Sequence, residues 1–293
     1  MGGPIRYQEG VKGPPAHTYP IDPRNAPVNG PFPSREALPA WLSERRAELA
    51  CAVSFLTRLP PALRADAPPL ARCVWAFPVA GAVVGLIGGV TLVAGSGLGL
   101  PALAAGFLAM GAMVLATGAL HEDGLSDTAD GLGGGRDRDH ALAIMRDSRL
   151  GAYGAVALVI AMGLRGAALG GLAASPWALA APLVAAAIGR AGCGLVLGLL
   201  GPARTDGLGA GAGTPTRPVL VAAWAVAALL AVIFLPLLPA VIALAASVLP
   251  VLAVSRLAQR RLGGHTGDIA GACGLLAEIA ALLVLAAGVG TLS

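Results

Sequence analysis

The chain has 293 residues, of which 56% are hydrophobic and only 12% charged, with a formal net charge of +4 at pH 7. Soluble domains carry about 25% charged residues, so this composition excludes an ordinary soluble enzyme and describes a multi-span membrane protein. The positive balance does not point to nucleic acid: the basic residues are scattered between apolar runs, with no basic stripe interleaved with aromatics, and arginine-bearing loops that set membrane orientation account for them.

Residues 1–40 are rich in Pro and Gly, show little periodicity, and lack the charged, apolar and cleavage regions of a signal peptide. They read as a flexible N-terminal extension, and residues 41–293 as a single transmembrane catalytic domain. Over 41–59 the pattern changes: Leu42, Leu49, Val53 and Leu56 share one helical face while Arg45, Arg46 and Glu48 lie elsewhere, which predicts an amphipathic helix lying at the membrane interface, ended by Pro60 and Pro61. Seven spans of roughly 20 residues follow, near 75–95, 101–120, 152–173, 177–200, 219–236, 239–256 and 269–290. The fold class is therefore an all-α polytopic membrane protein with about seven transmembrane helices plus the interfacial helix. Gly81, Gly85 and Gly89 recur every four residues in the first span, the spacing that lets a second helix approach closely.

Arginine gathers in alternate loops: Arg136, Arg138, Arg146 and Arg149 after the second span, Arg204 and Arg217 after the fourth, and Arg256, Arg260 and Arg261 after the sixth. The opposite loops, near 96–100, 174–176 and 237–238, carry no charge. Arginine-rich loops stay on the cytoplasmic side, so the N-terminus is expected inside, the C-terminus outside, and every reactive loop facing the cytoplasm.

The first of these loops concentrates the chemistry. Seven of the sixteen acidic residues fall within 121–154, HEDGLSDTADGLGGGRDRDHALAIMRDSRLGAYG. Asp123, Asp127 and Asp130 are spaced by four and three residues, so on a helix they stand on one face, one turn apart. Stacked like charges repel unless a cation lies among them, and carboxylate oxygens suit a hard divalent ion such as Mg2+ that keeps positions open for phosphate oxygens. A solvated acidic face is the bland alternative. Against it stand Gly124, Gly131, Gly133, Gly134 and Gly135, poor helix formers that a plain surface helix would avoid and that would let backbone N–H groups approach a phosphate. Arg136, Arg138, Arg146 and Arg149 then offer forked donors for phosphate.

Three charges lie inside spans: Arg165, Arg190 and Glu278. Burying one costs about 2.5 to 3.5 kcal/mol on insertion scales, so each is a functional candidate, and a structural pair such as Arg190 with Glu278 is the alternative. The loop after the fourth span holds Arg204, Asp206 and Arg217 among glycines; that after the sixth places His265, Thr266 and Asp268 at the mouth of the last span. Cys51, Cys73, Cys193 and Cys273 show no metal or redox spacing and read as small core residues.

HEDGLSDTADGLGGG followed by IMRDSRLGAYG, FLTRLP at 55–60, FPVAGAVVG at 77–85, and GGHTGDIAGA at 263–272 with Glu278 beyond together resemble the cobalamin synthase (adenosylcobinamide-GDP ribazoletransferase) family over roughly residues 46–285. The resemblance implies a Mg2+-dependent enzyme of the bacterial inner membrane. Its substrates are adenosylcobinamide-GDP and alpha-ribazole or its 5′-phosphate, and GMP leaves as adenosylcobalamin or its 5′-phosphate forms. On that reading Asp123, Asp127 and Asp130, with Glu122 or Asp147 beside them, hold Mg2+ against the diphosphate. Arg146, Arg149 or Arg190 stabilises the leaving GMP, Asp268, Glu278, Gly131 and Gly134 complete the substrate site, and the general base is one of Glu122, Asp147, His121 and His265.

Asp127, Asp130 and Gly131 also match the D-x-x-D-G opening of the CDP-alcohol phosphotransferases, but Gly134 and Gly135 stand where that pattern continues with Ala-Arg. A cation-coupled transporter using Glu278, Arg190 and the aspartates is the alternative from another class, although the aspartate cluster is not repeated in the second half of the chain. The sequence leaves open the lower base, the number of metals, and whether the chain forms a homo-oligomer.

Overall fold

Apolar runs that must satisfy their own backbone hydrogen bonds in lipid form helices. The computed structural model describes residues 38–60, 67–205 and 211–289. Its helices are α1 (Leu38–Leu56), α2 (Leu70–Cys73), α3 (Phe77–Gly97), α4 (Ala102–Thr117), α5 (Leu120–Gly134), α6 (Arg138–Ile144), α7 (Ala152–Gly171), α8 (Ala180–Leu199), α9 (Arg217–Phe234), α10 (Leu237–Leu262) and α11 (Gly267–Val289), with a 3-10 turn at Val74–Ala76. Among the described residues the sole extended pairing is an isolated bridge between Pro202 and His265. Six stretches are long and apolar enough to cross a membrane: Leu70–Gly97, α7, α8, α9, α10 and α11. The expected second span is the exception, because α4 bends by 91° into α5, and only this bent pair taken together makes a seventh. The protein is an all-α polytopic membrane protein.

The chain divides into two units, Met1–Leu42 and Ser43–Ser293. The expected N-terminal extension lies almost wholly outside the described residues. A helix forms where the interfacial one was expected, as α1, but its buried face differs from the expected one: Glu48, Cys51, Ala52 and Leu56 are buried, while Leu42 is 42% exposed. A carboxylate can occupy that face because it is satisfied. Trp75 Nε1 donates to Glu48 at 2.7 Å and Arg72 Nε at 3.1 Å, and Arg45 lies 2.8 Å away. The helix stops early as well, because the Thr57 hydroxyl donates to the Val53 carbonyl and accepts the Leu59 N–H.

In the membrane unit α8 is the central post, buried at every position from Ala181 to Gly194, with α3, α9, α10 and α11 packed around it. Its small residues let backbones approach, which is how helices associate when lipid offers no hydrophobic drive. A Cβ added at Gly81, Gly85 or Gly89 of α3 would meet the carbonyl oxygens of Ala186, Pro182 and Leu179, so the four-residue glycine spacing serves the contact expected of it. The four cysteines are free and buried.

One end of the bundle is polar and tied together by the loops. Ala203 N–H donates to the His265 carbonyl and His265 N–H to the Gly201 carbonyl, both at 2.8 Å. Arg138 donates to the carbonyls of Leu262, at 2.9 Å, and Ala203, and Arg261 to that of Gly135 at 2.5 Å. The three arginine-bearing loops, distant in sequence, form one surface.

Candidate active site

The turn from α4 to α5 places the acidic helix. Gly118 has φ 66° and Ala119 φ 60°; the second is a left-handed conformation that a residue with a Cβ adopts only at some cost. The corner is braced where Arg58 N–H donates to the Ala116 carbonyl at 2.7 Å. Beyond it α5 runs across α11 and α7. The glycines of α5 allow close packing: Gly124 lies against the Asp268 backbone, Gly131 against Met145 and Ala141, Gly133 against the Tyr153 ring, and Gly134 near Ile144.

Where α5 meets the α11 entrance there is a cavity of about 150 Å3, with Phe55, Leu70, Phe77 and Leu120 on its apolar side and His121, Asp123, Arg204 and Asp268 on its polar side. The phenyl rings of Phe55 and Phe77 stack at 6.4 Å. Asp127 feels the charges of Asp123, Asp268, Asp130 and Arg204, so four carboxylates and one guanidinium share this corner. Thr266 orients the α11 entrance: its hydroxyl accepts the Ile269 N–H at 3.2 Å and donates to Asp268 at 3.1 Å, an N-terminal cap. Arg204 stands 3.6 Å from the same carboxylate.

Among the described residues no three His, Cys, Asp or Glu side chains are gathered closely enough to enclose a metal ion. Mg2+ is commonly held by one or two carboxylates, with waters and substrate phosphates completing its octahedron. Asp123 and Asp268 on the cavity wall, with Asp127 beside them, are a donor set that fits such an ion.

The other expected residues are placed as follows. Asp130 is 7% exposed and accepts the N–H groups of Gly151 and Gly154, both at 2.8 Å, where α7 begins. It acts as a cap supplied from another helix, and both glycines are required because a Cβ on either would strike the carboxylate. Glu122 pairs with Arg165 at 2.7 Å, Arg165 with Glu278 at 2.6 Å, and Glu278 with Arg190. These four residues form a buried, charge-balanced chain across α5, α7, α11 and α8, so Glu122, Arg190 and Glu278 face one another and not the cavity. Asp147 and Arg149 pair with each other on the exposed surface at 2.5 Å; the Arg149 side chain and backbone hydrogen bonds hold the Asp147 carboxyl down at about 2. Arg146 lines a second, larger cavity with Arg138 and Arg204. His265 is 1% exposed and spends its backbone on the loop pairing, and burial pushes its imidazole below the ordinary value. His121, 2% exposed, lines the first cavity. Two residues were underrated in the sequence: Arg165, whose partners lie on other helices, and Arg204, which looked like part of a glycine-rich linker.

A helical bundle with carboxylates and an arginine converging on a cavity at its polar end defines a membrane-embedded protein with the parts for handling a phosphorylated substrate. Comparison with known proteins makes this specific. The cobalamin-5-phosphate synthase family model matches residues 48–286, and the chain belongs to that family. It is 47% identical over 244 residues to the adenosylcobinamide-GDP ribazoletransferase of Bradyrhizobium diazoefficiens, covering 82% of this chain and 94% of that protein. Identity is 48% over 248 residues to the protein of the same name from Azorhizobium caulinodans (81% and 94% covered) and 49% over 249 residues to that from Xanthobacter autotrophicus (80% and 94% covered). No solved structure matches the chain. Family membership sets aside the transporter and CDP-alcohol phosphotransferase alternatives.

Proposed function

We propose that this chain catalyses the last condensation of cobalamin assembly. The ribose 3′-hydroxyl oxygen of alpha-ribazole, or of its 5′-phosphate, attacks the cobinamide-linked phosphorus of adenosylcobinamide-GDP. A new P–O bond forms, the bond to the outer phosphate breaks, and GMP departs with that electron pair while the hydroxyl proton passes to a base. The observation that carries this reading is the meeting of Asp123 and Asp268 with Arg204 at one cavity, with Asp127 beside them, in a chain that belongs to the cobalamin-5-phosphate synthase family.

Asp123 and Asp268, with Asp127 beside them, would provide the one or two carboxylates that hold Mg2+; when bound it would offset diphosphate charge and polarise the breaking P–O bond. The stacked Phe55 and Phe77 rings and the Leu70 side chain give the cavity an apolar wall suited to the flat base of ribazole. Arg146 stands where it can meet leaving-group phosphate. The arginine-bearing loops at this end support a site at the cytoplasmic face of the inner membrane, where the nucleotide substrate is available.

The test is GMP release by the purified full-length protein in detergent, given adenosylcobinamide-GDP and ribazole with Mg2+ or with excess chelator. GMP and the joined corrinoid are expected in equal amounts, only with the metal, and Asp127→Asn should abolish turnover while leaving membrane insertion intact. Absence of GMP under all conditions rejects the reaction; full turnover in chelator rejects the metal.

A further inference from the structure

Arg204 belongs to the walls of two cavities at once. The first is the small chamber that it shares with His121, Asp123 and Asp268. The second, about 710 Å3, is lined by Arg138, Asp139, Leu142, Arg146, Pro202, Ala203, Arg204 and Thr205. Three of those side chains are cationic and one anionic, and Asp139 already pairs with Arg138 at 3.0 Å. What remains is a basic hollow large enough for a nucleotide, joined through one guanidinium to the chamber that holds the carboxylates.

The state of that guanidinium indicates what it awaits. Among the described residues its ion pair is to Asp268, at 3.6 Å, beyond the 2.7–2.9 Å of a charge-assisted hydrogen bond. Its buried Nη1 has no hydrogen-bond partner among the described residues, and buried donors are almost always satisfied. The backbone beneath it is firm, because Ala203 N–H and the His265 carbonyl are paired at 2.8 Å and Gly264 lets the two loops touch. An arginine on a fixed backbone, with an unused fork between two hollows, suits a diphosphate lying across the wall.

We infer that the larger cavity is the compartment for the guanosine nucleotide half of the substrate, and that Arg204 is the residue that contacts the diphosphate where it passes into the reaction chamber. This rests on the reaction proposed above. It assigns leaving-group recognition to a residue outside the acidic loop, with Arg146 as its companion, and it excludes from that role Arg149, which is exposed and paired, and Arg190, which is buried in the ion chain.

The experiment compares wild type, Arg204→Gln, Arg204→Lys and Thr205→Trp, the last placing a bulky ring at the exposed rim of the larger cavity. Equilibrium binding of GMP in the presence of Mg2+ is measured on each full-length protein, together with KM for both substrates. Arg204→Gln should weaken GMP binding and raise KM for adenosylcobinamide-GDP by about 10- to 100-fold, the loss of a charge-assisted contact, with KM for ribazole unchanged. Arg204→Lys should recover part of this, and Thr205→Trp should weaken GMP binding and raise KM for adenosylcobinamide-GDP with KM for ribazole unchanged. Wild-type GMP affinity in Arg204→Gln, or equal loss of both substrates, overturns the assignment. Wild type that binds GMP without turning over rejects the reaction and leaves the nucleotide compartment standing.

Discussion

Arg165 of α7 and Glu278 of α11 lie 2.6 Å apart with almost no exposure to solvent. Each has a second partner, Glu122 and Arg190 respectively, so two cations and two anions run from α5 to α8 through the centre of the bundle. Such a chain is neutral as a whole but not in its parts. Removing one member leaves a buried charge uncompensated, which typically costs about 3 to 5 kcal/mol. Glu278→Gln, which strands two guanidinium groups, should lower thermal stability in detergent by about that much, and Glu122→Gln, at the end of the chain, by less. Combining Glu122→Gln with Arg165→Met should cost less than the sum of the two single changes. Additive losses would mean that the four charges are not coupled.

Asp130 and Asp123 share a helix face yet do different work. Asp130 accepts two N–H groups at the start of α7, whereas Asp123 lines the cavity. Asp130→Ala should therefore cost roughly 1 to 2 kcal/mol of stability, the usual value of a lost helix cap. Asp130→Asn, which keeps an acceptor oxygen, should recover part of that. Asp123→Asn should leave the melting temperature within a degree or two while removing most of the turnover and raising the Mg2+ requirement. Equal melting temperatures for Asp130→Ala and wild type would remove the capping role.

This division shows where sequence reading reaches its limit. The spacing of Asp123, Asp127 and Asp130 predicted a shared face, and α5 has it; the glycine spacing of the first span predicted a close helix contact, and α3 makes it with α8. Local periodicity carries that information. The partners of Asp130 are the backbone amides of Gly151 and Gly154, and no spacing rule in α5 announces them. Arg204 was obscured for a related reason: in a linker of glycines it has no periodic neighbours, and its value comes from a loop pairing with His265 that exists only in the folded chain. The α4 to α5 corner escaped notice because Gly118, Ala119 and Leu120 read as the apolar end of a span, and nothing local to the sequence announces a left-handed backbone at an alanine.

His265 gives a pH signature. Burial holds its imidazole below the ordinary 6.5, so the folded chain keeps the ring neutral where the unfolded chain takes up a proton. Its contribution is complete above about pH 6.5 and is lost as pH falls through the window below that value toward the folded pKa. The melting temperature should decline as pH falls below about 6.5, and His265→Gln, which removes the titrating ring, should flatten that segment of the curve relative to wild type. An identical slope in the two proteins would assign the acid sensitivity to other groups.

Ala119 is the remaining test, because it concerns how the acidic helix is aimed. Its φ of 60° lies in the left-handed region, which costs a non-glycine residue about 1 to 2 kcal/mol, and it sits at the bend of 91° that sends α5 across the end of the bundle. Ala119→Gly removes the conflict between Cβ and backbone but also frees the unfolded chain, a counter-effect of up to about 1 kcal/mol. The net change should be a gain of a few tenths to about 1 kcal/mol in melting experiments, with turnover retained because the Arg58 to Ala116 hydrogen bond still braces the corner. Ala119→Val should do the reverse, since a branched side chain is still less tolerant of positive φ, and its destabilisation should bring a loss of turnover as the carboxylates of α5 shift relative to Asp268. If Ala119→Val melted and turned over like wild type, the corner would not be what fixes the direction of α5.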